Sequence, residues 1–424
     1  MKFRPLLFLI VIASMILSAC QSSTAVSGNI SFMVFGDPAE IAAYQKLVDA
    51  FSQSHPDVKV ELIQIPGQSD YRKRLAADIT AGNPADVVFF NYRLFASFAN
   101  IGALEPLGKY LEKSKLIKEA DFYPQAMQAF KWQGEQMCIP QNISSLVVYY
   151  NKELFDQAGV AYPAKNWTWD DFTSAAQALT KDTNGDGETD QFGAGVAPEL
   201  IRIAPFIWQE GGEIVDNEIN PQNITVATAE ALHAADFFFS LQTKLHVVPN
   251  LEQETSEESE ARFINGRLAI FFNSRRGVPT YRESAAFDWD VASVPQDKAP
   301  ATILHSDGYC MPSASKNKAA AWTFIEFANS VEGQTIVAGT GRTVPSLISV
   351  ANSPAFLDPN TKPANSQLFL DVIPSIHVLP IHPNWAEIEE IADNQISQGF
   401  YGQLPYYDTM TNIANLAKEI LTGK

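Results

Sequence analysis

Basic residues and cysteines are both scarce in this chain. Its 424 residues include 30 Lys and Arg against 48 Asp and Glu, a net charge of −18, and three cysteines. Nucleic acids and anionic lipid surfaces bind proteins through clustered basic residues, so we expect neither as a partner. Cys20, Cys138 and Cys310 do not have the paired spacing that is typical of a zinc site.

Common catalytic motifs and a second long apolar run are also missing. The chain contains no Gly-x-Ser-x-Gly, phosphate loop, dinucleotide fingerprint or His-Glu-x-x-His, so it predicts none of the chemistries that these motifs support. We therefore expect no required cofactor. After residue 20, no apolar run reaches the roughly 20 residues that a membrane-spanning helix needs.

The one long apolar segment lies at the N-terminus. Residues 1–19 combine Lys2 and Arg4 with an apolar run and then small residues, which is the pattern of a secretory signal. The order Leu-Ser-Ala-Cys at 17–20 resembles a bacterial lipoprotein signal, whose cleavage leaves Cys20 lipidated. We therefore expect an extracytoplasmic protein anchored to the bacterial cell membrane by lipid, with residues 20–28 as a flexible tether. The alternative is an ordinary signal peptide.

Strand and helix patterns alternate at the start of the mature chain. Apolar periodicity predicts strands at 29–35, 58–65 and 86–90, with helices at 39–51 and 70–81 between them. The third strand is wholly apolar, which is typical of the middle of a parallel sheet covered by helices. Ligands bind beyond the carboxyl ends of such strands, and here those ends carry Asp37, Asn91 and Arg93.

A second alternating region follows Cys138. The pattern predicts strands at 143–150 and 268–272, and a helix at 166–179 that has Thr168 as its N-cap. The strand at 268–272 ends in the polar run 273–277, which we interpret as another ligand-facing edge. About 400 mature residues provide enough apolar material for two domains rather than one.

Motifs along most of the mature chain resemble the extracellular solute-binding proteins of sugar-importing ABC transporters, the group that includes maltose-binding protein. Each motif is weak alone, and the resemblance lies in their shared order. The matching segments are Asp86-Val87-Val88-Phe89-Phe90, residues 100–107, Ile139-Pro140, residues 149–155, Trp167-Thr168-Trp169-Asp170-Asp171-Phe172, Gly211-Gly212, residues 266–270, residues 315–318, residues 321–324 and Pro383-Asn384-Trp385.

The resemblance implies a periplasmic-binding-protein-like α/β fold with two lobes, a hinge of crossing strands and a ligand cleft between the lobes. The expected first lobe comprises residues 29–139 and 309–350, and the expected second lobe residues 140–308 and 351–424. The implied partners are a carbohydrate ligand and the permease subunits of an ABC importer. The implied protein is a monomer that binds its ligand and catalyses nothing.

The resemblance also implies ligand-binding residues. Trp385 lies where the family places a stacking tryptophan, with a core position as the alternative, and Phe90 falls at another stacking position that is equally typical of core. Sugars need planar hydrogen-bonding groups as well as flat apolar faces. The polar candidates, which lie at contact positions or at strand ends, are Asp37, Asn91, Arg93, Ser144, Asn273 and Asp307.

One departure from the family pattern concerns arginine. Where relatives often have Asn-Gly-Pro-Trp, this chain has Asn-Ser-Arg-Arg at 273–276. Together with Arg202, the arginines Arg275 and Arg276 place planar, bidentate donors near the expected cleft of an acidic protein. We hypothesise that the ligand is an acidic sugar or one bound through arginine forks. The alternative is that these arginines pair with surface carboxylates.

The run 182–190 matches several positions of a calcium-binding loop. Hard oxygen ligands at alternate positions, with a glycine for the turn, suit Ca²⁺, but the twelfth position, which needs a bidentate glutamate, is Gly193. A structural Ca²⁺ and a plain acidic turn are both compatible with this pattern. The candidate ligands are Asp182, Asn184, Asp186, Glu188 and Asp190.

The family resemblance further implies that the segments around Cys138 and Cys310 cross between the lobes. If they are neighbours, a disulfide between them would clamp the hinge. Two other functions remain open. An anchored polysaccharide hydrolase or lyase would need two carboxylates in the cleft, for which Asp37 and Asp307 are the candidates. A receptor for a non-sugar solute such as iron, a polyamine or a peptide would share the fold.

Overall fold

The structure is a computed structural model, and it describes residues 26–422. The predicted signal, Cys20 and most of the predicted tether lie outside the described residues. Two main sheets organise the molecule, one of five strands and one of four, with a three-stranded sheet and a two-stranded sheet beside them. Helices pack against both main sheets.

The strands are β1 Gly28–Phe35, β2 Val58–Ile65, β3 Val87–Asn91, β4 Lys131–Trp132, β5 Glu135–Gln136, β6 Cys138–Pro140, β7 Ser144–Ser145, β8 Val147–Asn151, β9 Phe192–Gly195, β10 Leu268–Asn273, β11 Trp289–Ala292, β12 Thr302–His305, β13 Asp307–Cys310 and β14 Ile376–His377. The helices are α1 Pro38–Ser54, α2 Gln68–Thr80, α3 Phe95–Asn100, α4 Gly108–Leu111, α5 Pro124–Gln128, α6 Lys152–Ala158, α7 Trp169–Leu179, α8 Leu200–Gln209, α9 Ala229–Thr243, α10 Leu251–Ser256, α11 Ser259–Ile264, α12 Val278–Ser284, α13 Lys318–Ala328, α14 Val331–Ala338, α15 Ile348–Ala351, α16 Leu368–Asp371, α17 Trp385–Phe400 and α18 Tyr406–Thr422. Three short 3₁₀ helices occupy Glu119–Asp121, Arg275–Gly277 and Ile373–Ser375.

The five-stranded sheet forms the first lobe together with the helices packed on it. Its order is β2-β1-β3-β13-β6, with β1 parallel to β2 and β3, and β13 antiparallel to both of its neighbours. Strand β3 is buried along its whole length, as its continuous apolar sequence predicts. Phe32 and Phe324 belong to the core that joins this sheet to α1 and α13.

The four-stranded sheet, ordered β11-β8-β10-β9, forms the second lobe with its helices. Helices α8, α9, α17 and α18 pack on one another in this lobe. Thr168 caps α7 through a reciprocal pair of bonds with Asp171, as the sequence predicts. A single apolar core includes side chains of both lobes, among them Phe90 and Val147.

The chain passes between the lobes several times. It leaves the first lobe after β6, forms β7 in the small β14-β12-β7 sheet and then enters the second lobe as β8. It returns through β12 to β13, and a third passage lies between α15 and α16. The predicted two-lobed α/β architecture with crossing strands is confirmed, and the residue boundaries of the lobes stay predictions.

The predicted strand 143–150 was wrong in one respect. The chain forms two strands, β7 and β8, interrupted at Leu146. Strand β7 pairs with β12, whereas β8 pairs with β10 and β11. The apolar run is continuous because both strands are buried, but the strands belong to different sheets, and an apolar pattern does not reveal a change of partner.

Cys138 and Cys310 are partners in the antiparallel pairing of β6 and β13. Their Cα atoms are 4.3 Å apart, and the two sulfur atoms form a disulfide. The bond joins residues 172 positions apart in sequence and ties together two strands that lead to different crossings. It therefore fixes the first-lobe ends of two hinge segments.

We predict that both thiols resist alkylation until a reductant is added, as mass spectrometry can measure. Replacing both cysteines by serine should lower the free energy of unfolding by about 4–5 kcal/mol, because the closed loop is long. A matched double substitution, Ala76→Ser with Thr80→Ser, changes two exposed residues outside the hinge and should have little effect. Two freely alkylated cysteines in the unreduced protein would contradict the prediction.

Candidate functional site

Several strand ends of the first lobe meet at one edge of its sheet. Parallel strands β1 and β3 end at Phe35 and Asn91, and antiparallel β13 begins at Asp307, which is the register partner of Asn91. The loop after β1 carries Asp37, and the loop after β3 carries Arg93. The structure therefore brings the predicted polar residues of the first lobe to a common edge.

Asn91 links Asp307 to Arg93. Its side-chain nitrogen donates to Asp307 Oδ1 at 3.1 Å, and its oxygen accepts from Arg93 Nε at 3.0 Å. Burial raises the pKa of Asp307 to about 6, although Asn91, Arg93 and Arg342 act in the opposite direction. The Asp307 amide donates to the side chain of Asn142 at 2.7 Å, so the loop between β6 and β7 holds this carboxyl group in place.

Asp37 belongs to a second charged group, centred on Arg342. The guanidinium of Arg342 donates to Asp37 Oδ2 at 2.9 Å and to Glu40 Oε2 at 2.6 Å. Burial tends to raise the pKa of Asp37, but the Glu40 amide and Arg342 lower it overall. Gly36 has a φ of +141°, and a Cβ there would overlap the Glu40 carboxyl group. This close approach requires glycine at the end of β1.

Polar contacts join the two lobes across this edge. Arg342 also donates to the carbonyl of Arg276, at 3.4 Å, and Arg276 follows β10 of the second lobe. Arg93 forms an ion pair with Glu389 of α17. A cavity of about 380 Å³ lies beside this pair and is lined by both lobes, including α2 and α17. Loops and helices of both lobes therefore line the predicted cleft.

Arg202 lies on α8, which packs against β12. Its residue is 8% exposed, and its Nε and Nη1 atoms are buried without a hydrogen-bond partner among residues 26–422. The nearest carboxylate is that of Glu199, with 3.8 Å between Arg202 Nε and Glu199 Oε2. Burial, Arg202, Arg93 and Arg276 all lower the pKa of His305. These four side chains therefore act on one another electrostatically.

Three other residues that were predicted to contact the ligand, Arg275, Asn273 and Ser144, form hydrogen bonds within the protein. Arg275 is buried between the rings of Phe356 and Phe369, with its Cζ atom 4.2 Å and 4.8 Å from their centroids. Its Nε donates to the Gly341 carbonyl at 3.0 Å. In this structure Arg275 packs against apolar rings, unlike the exposed fork that the sequence indicates.

Asn273 and Ser144 are also held by neighbouring groups. Asn273 is 1% exposed and donates to the Tyr281 hydroxyl at 2.6 Å. Ser144 Oγ accepts from the Val344 amide at 3.3 Å, and Ser144 is the register partner of His305. Ser144 therefore lies beside His305, which Arg202, Arg93 and Arg276 influence. Asn273 lies at the end of β10, just before the turn that carries Arg276.

The two aromatic candidates are buried. Phe90 packs against Phe98, with ring centroids 4.9 Å apart, and against Tyr71. Trp385 begins α17 and is fully buried. Its indole Nε1 has no hydrogen-bond partner within the described part of the chain. Both rings contribute to the apolar core, and their contact with a ligand stays a prediction.

Sequence reasoning missed four charged or titratable residues of the cleft: Glu40, His305, Arg342 and Glu389. Two of them had a usable signal. Glu40 comes three residues after Asp37 at the start of α1, where it is close to the strand end, and Glu389 lies four residues after Trp385 on the same helix face. Arg342 and His305 lie in segments whose pattern predicts no cleft position.

The acidic loop at 182–190 is closed by its own hydrogen bonds. Asp182 accepts from the Gly185 and Gly187 amides at 2.7 Å and 2.8 Å, and Asp190 accepts from the Thr183 amide at 2.9 Å. No group of three or more His, Cys, Asp or Glu that could hold a metal ion occurs in the part of the chain that the structure describes. The calcium site therefore stays a prediction.

Comparison with known proteins gives a consistent result. The family model described as bacterial extracellular solute-binding protein matches residues 36–335. A mannitol-binding protein of Pseudomonas aeruginosa is 24% identical over 405 residues, which cover 90% of this chain and 85% of that protein.

Two solved structures are similar over most of this chain. An ABC substrate-binding protein of Listeria monocytogenes in complex with cycloalternan has a TM-score of 0.86 and 25% identity, and covers 94% of this chain and 99% of its own. A maltose-bound protein of T. maritima has a TM-score of 0.78 and 22% identity, and covers 92% and 99%. Among the described residues no helix combines the length and apolar character of a membrane span.

The carboxyl group of Glu40 makes stability depend on pH. Burial raises its pKa from 4.5 to about 7, although Arg342 opposes this. Between about pH 4.5 and pH 7, Glu40 keeps its proton in the folded protein but loses it in the unfolded chain. The contribution of this group to the free energy of unfolding is therefore complete below about pH 4.5 and is lost as pH rises through about 7.

We predict that Glu40→Gln reduces the loss of stability between pH 5 and pH 7.5, by up to about 1.4 kcal/mol per pH unit. Urea unfolding at several pH values measures this difference. Glu61→Gln, on the exposed edge strand β2, is the matched control and should leave the slope unchanged. An unchanged slope in the Glu40 variant would contradict the prediction.

A structural Ca²⁺ predicts a higher melting temperature in calcium than in chelator, and Asp186→Asn should remove the difference because Asp186 is a predicted ligand. Thermal melts of both proteins measure this effect. A melting temperature that does not respond to chelator would identify the loop as an acidic turn.

Proposed function

Because the chain belongs to the family of bacterial extracellular solute-binding proteins, we propose that it binds a sugar or oligosaccharide between its two lobes and delivers it to an ABC importer. One observation carries this proposal: polar side chains of the two lobes bond across the cleft, as Arg93 of the first lobe does with Glu389 of α17. A ligand in this cleft would contact both lobes at once.

The chemistry of the cleft suits a polyhydroxylated ligand. Asn91 and Asp307 offer planar amide and carboxylate groups, and Arg202 offers unused donors. Such groups match pairs of sugar hydroxyls. The names of the relatives add support, since one binds mannitol and two structures contain cycloalternan or maltose.

Binding would favour a closed arrangement of the lobes. A ligand shifts a conformational equilibrium only through contacts that differ between the states. Contacts such as the one between Arg342 and the Arg276 carbonyl form only when the two lobes are close together. The closed form would then be the species that the permease subunits recognise.

The proposal includes a lipid anchor at Cys20. The sequence at 17–20 supports it, and a short polar segment separates Cys20 from β1. Lipid chains on this cysteine would hold the protein at the outer face of the cytoplasmic membrane. A monomer is sufficient for this function because both faces of the cleft come from one chain.

We predict reversible binding with one ligand per chain and no product. Isothermal titration calorimetry with mannitol, maltotriose and other saccharides measures the stoichiometry, and chromatography of the recovered saccharide detects cleavage. Asp37→Asn with Asp307→Asn should weaken binding, because the cleft loses two acceptors of full charge.

Turnover of any oligosaccharide that the double substitution abolishes would support the hydrolase or lyase alternative. Absence of binding to every saccharide, combined with binding of a metal complex, polyamine or peptide, would support a receptor for another solute.

We predict that Cys20→Ser transfers the protein from the membrane fraction to the soluble extracytoplasmic fraction of producing cells, because the substitution removes the lipid attachment site. Fractionation followed by immunoblotting measures the distribution. Ser22→Ala is the matched control. Retention of the Cys20 variant in the membrane fraction would contradict lipid anchoring.

A further inference from the structure

We infer that Arg202 anchors a subsite for an anionic group, so the natural ligand carries a carboxylate or phosphate in addition to hydroxyls. The inference rests on the proposed function and specifies the class of ligand. The sequence offered three arginines for this role, and the structure assigns it to Arg202.

Two nitrogen atoms of the buried Arg202 side chain lack a hydrogen-bond partner in the described part of the chain. Arg202 is 8% exposed, yet Nε and Nη1 have no hydrogen-bond partner among the described residues. Burying guanidinium nitrogens without hydrogen-bond partners is costly, since these atoms lose water and gain no hydrogen bond in return. Glu199 is too distant for a hydrogen bond, at 3.8 Å, and its side chain is 40% exposed. A bound anion would supply the missing partner.

The other arginines near the cleft already have protein partners. Arg93 is paired with Glu389, Arg276 with Glu260 at 3.0 Å, and Arg275 is bonded to a carbonyl and enclosed by aromatic rings. Burial lowers the pKa of Arg202, and the charges of Arg276 and Arg93 act in the same direction, although Glu199 opposes them. Arg202 therefore has two donor atoms, Nε and Nη1, that a ligand could engage.

His305 adds a second polar group to the subsite. Its Nε2 atom is buried and lacks a partner among residues that the structure describes. Burial and the three nearby arginines keep its ring neutral, since they lower its pKa. A neutral imidazole can donate one hydrogen bond without adding another charge. Arg202 and His305 together offer a charged fork and a neutral donor.

The nearby carboxyl groups do not fill this site. Asp393 accepts a hydrogen bond from the Leu200 amide at 2.7 Å, and burial raises its pKa to about 6. It influences Arg202 electrostatically but does not bond to it, and neither does Glu199. A neutral hydroxyl could accept a hydrogen bond from Arg202, but an anion would form a stronger, charge-assisted hydrogen bond with the same nitrogens.

Matched pairs of ligands test the inference. We would titrate the protein with glucose and glucuronate, galactose and galacturonate, α-1,4-linked galactotriose and trigalacturonate, and glycerol and glycerol 3-phosphate. We expect an acidic member to bind roughly 10- to 100-fold more tightly than its neutral counterpart, as charge-assisted hydrogen bonds allow. Comparison of the uronate pairs with the glycerol 3-phosphate pair shows whether the subsite prefers a carboxylate or a phosphate.

Two substitutions locate the effect. Arg202→Gln should weaken binding of the acidic member far more than binding of the neutral member and so abolish the preference for the acid, whereas Arg202→Lys should keep part of the preference. Arg74→Gln is the matched control, because Arg74 is an exposed arginine paired with Asp78 in α2. It should bind every probe as the unmodified protein does.

A third measurement separates binding from a structural role. Arg202→Met should raise the melting temperature of the ligand-free protein, since it replaces an unpaired buried charge by an apolar side chain. Sodium phosphate should raise the melting temperature of the unmodified protein more than sodium chloride of equal ionic strength, and the methionine variant should not respond. A structural arginine would give a lower melting temperature on substitution.

The outcomes distinguish this inference from the proposed function. Equal or tighter binding of the neutral member of every pair would overturn the anionic subsite and leave the sugar receptor standing. A phosphate response that persists in Arg202→Gln would also overturn it. Failure of every acid and every neutral saccharide to bind would contradict both the inference and the proposed function.

Discussion

The guanidinium of Arg342 connects the parts of this structure on which its function depends. It bonds to Asp37 and Glu40 at the start of α1, and to the carbonyl of Arg276 after β10. The first pair belongs to one lobe and the carbonyl to the other. The Arg342 side chain is only 10% exposed. Its charge is therefore poorly solvated by water and depends on these protein partners for stabilisation. Arg342 thereby links the start of α1 in the first lobe to the turn after β10 in the second lobe.

The topology explains why the two lobes meet at this cleft. Strand β13 runs antiparallel to β3, so the chain returns from the second lobe directly beside Asn91. The disulfide between Cys138 and Cys310 joins the strands at which two of the crossings begin or end. The hinge is therefore anchored in the first lobe, and the freedom of the second lobe resides in the segments between the sheets.

Some side chains at or near the cleft have unsatisfied polar atoms, as do Gln136, Glu210, Trp289 and Thr409 elsewhere in the described part of the chain. Arg202, His305, Trp385 and Glu389 each have at least one buried atom without a hydrogen-bond partner in the described part of the chain. Orphaned buried groups destabilise a protein, and several of them around one cleft indicate a place prepared for a polar ligand. Buried polar atoms that lack hydrogen-bond partners are therefore a physical reason for expecting a functional site nearby.

Much of the fold could be predicted from the sequence because its signals are local. The apolar run of β3 and the capping of α7 by Thr168 depend on neighbouring residues, and both were predicted correctly. The division of 143–150 into two strands depends on which sheet each half joins, which no local pattern records.

The site could be predicted only in part for a similar reason. Asn91 and Asp307 were identified from strand ends and family position, whereas Arg342 and His305 become relevant only through contacts that the folded chain creates. Arg275 and Arg276 are adjacent in sequence, yet one is buried between rings and the other lies 52% exposed beside Glu260. Their different surroundings arise from the tertiary packing of the turn after β10.

The central claim is that a ligand held between two lobes draws those lobes together. Small-angle X-ray scattering of the protein with and without a saturating saccharide that calorimetry has identified measures this most directly. The account predicts a smaller radius of gyration in the bound state, as the lobes approach each other. A scattering profile that is identical with and without the bound saccharide would contradict it.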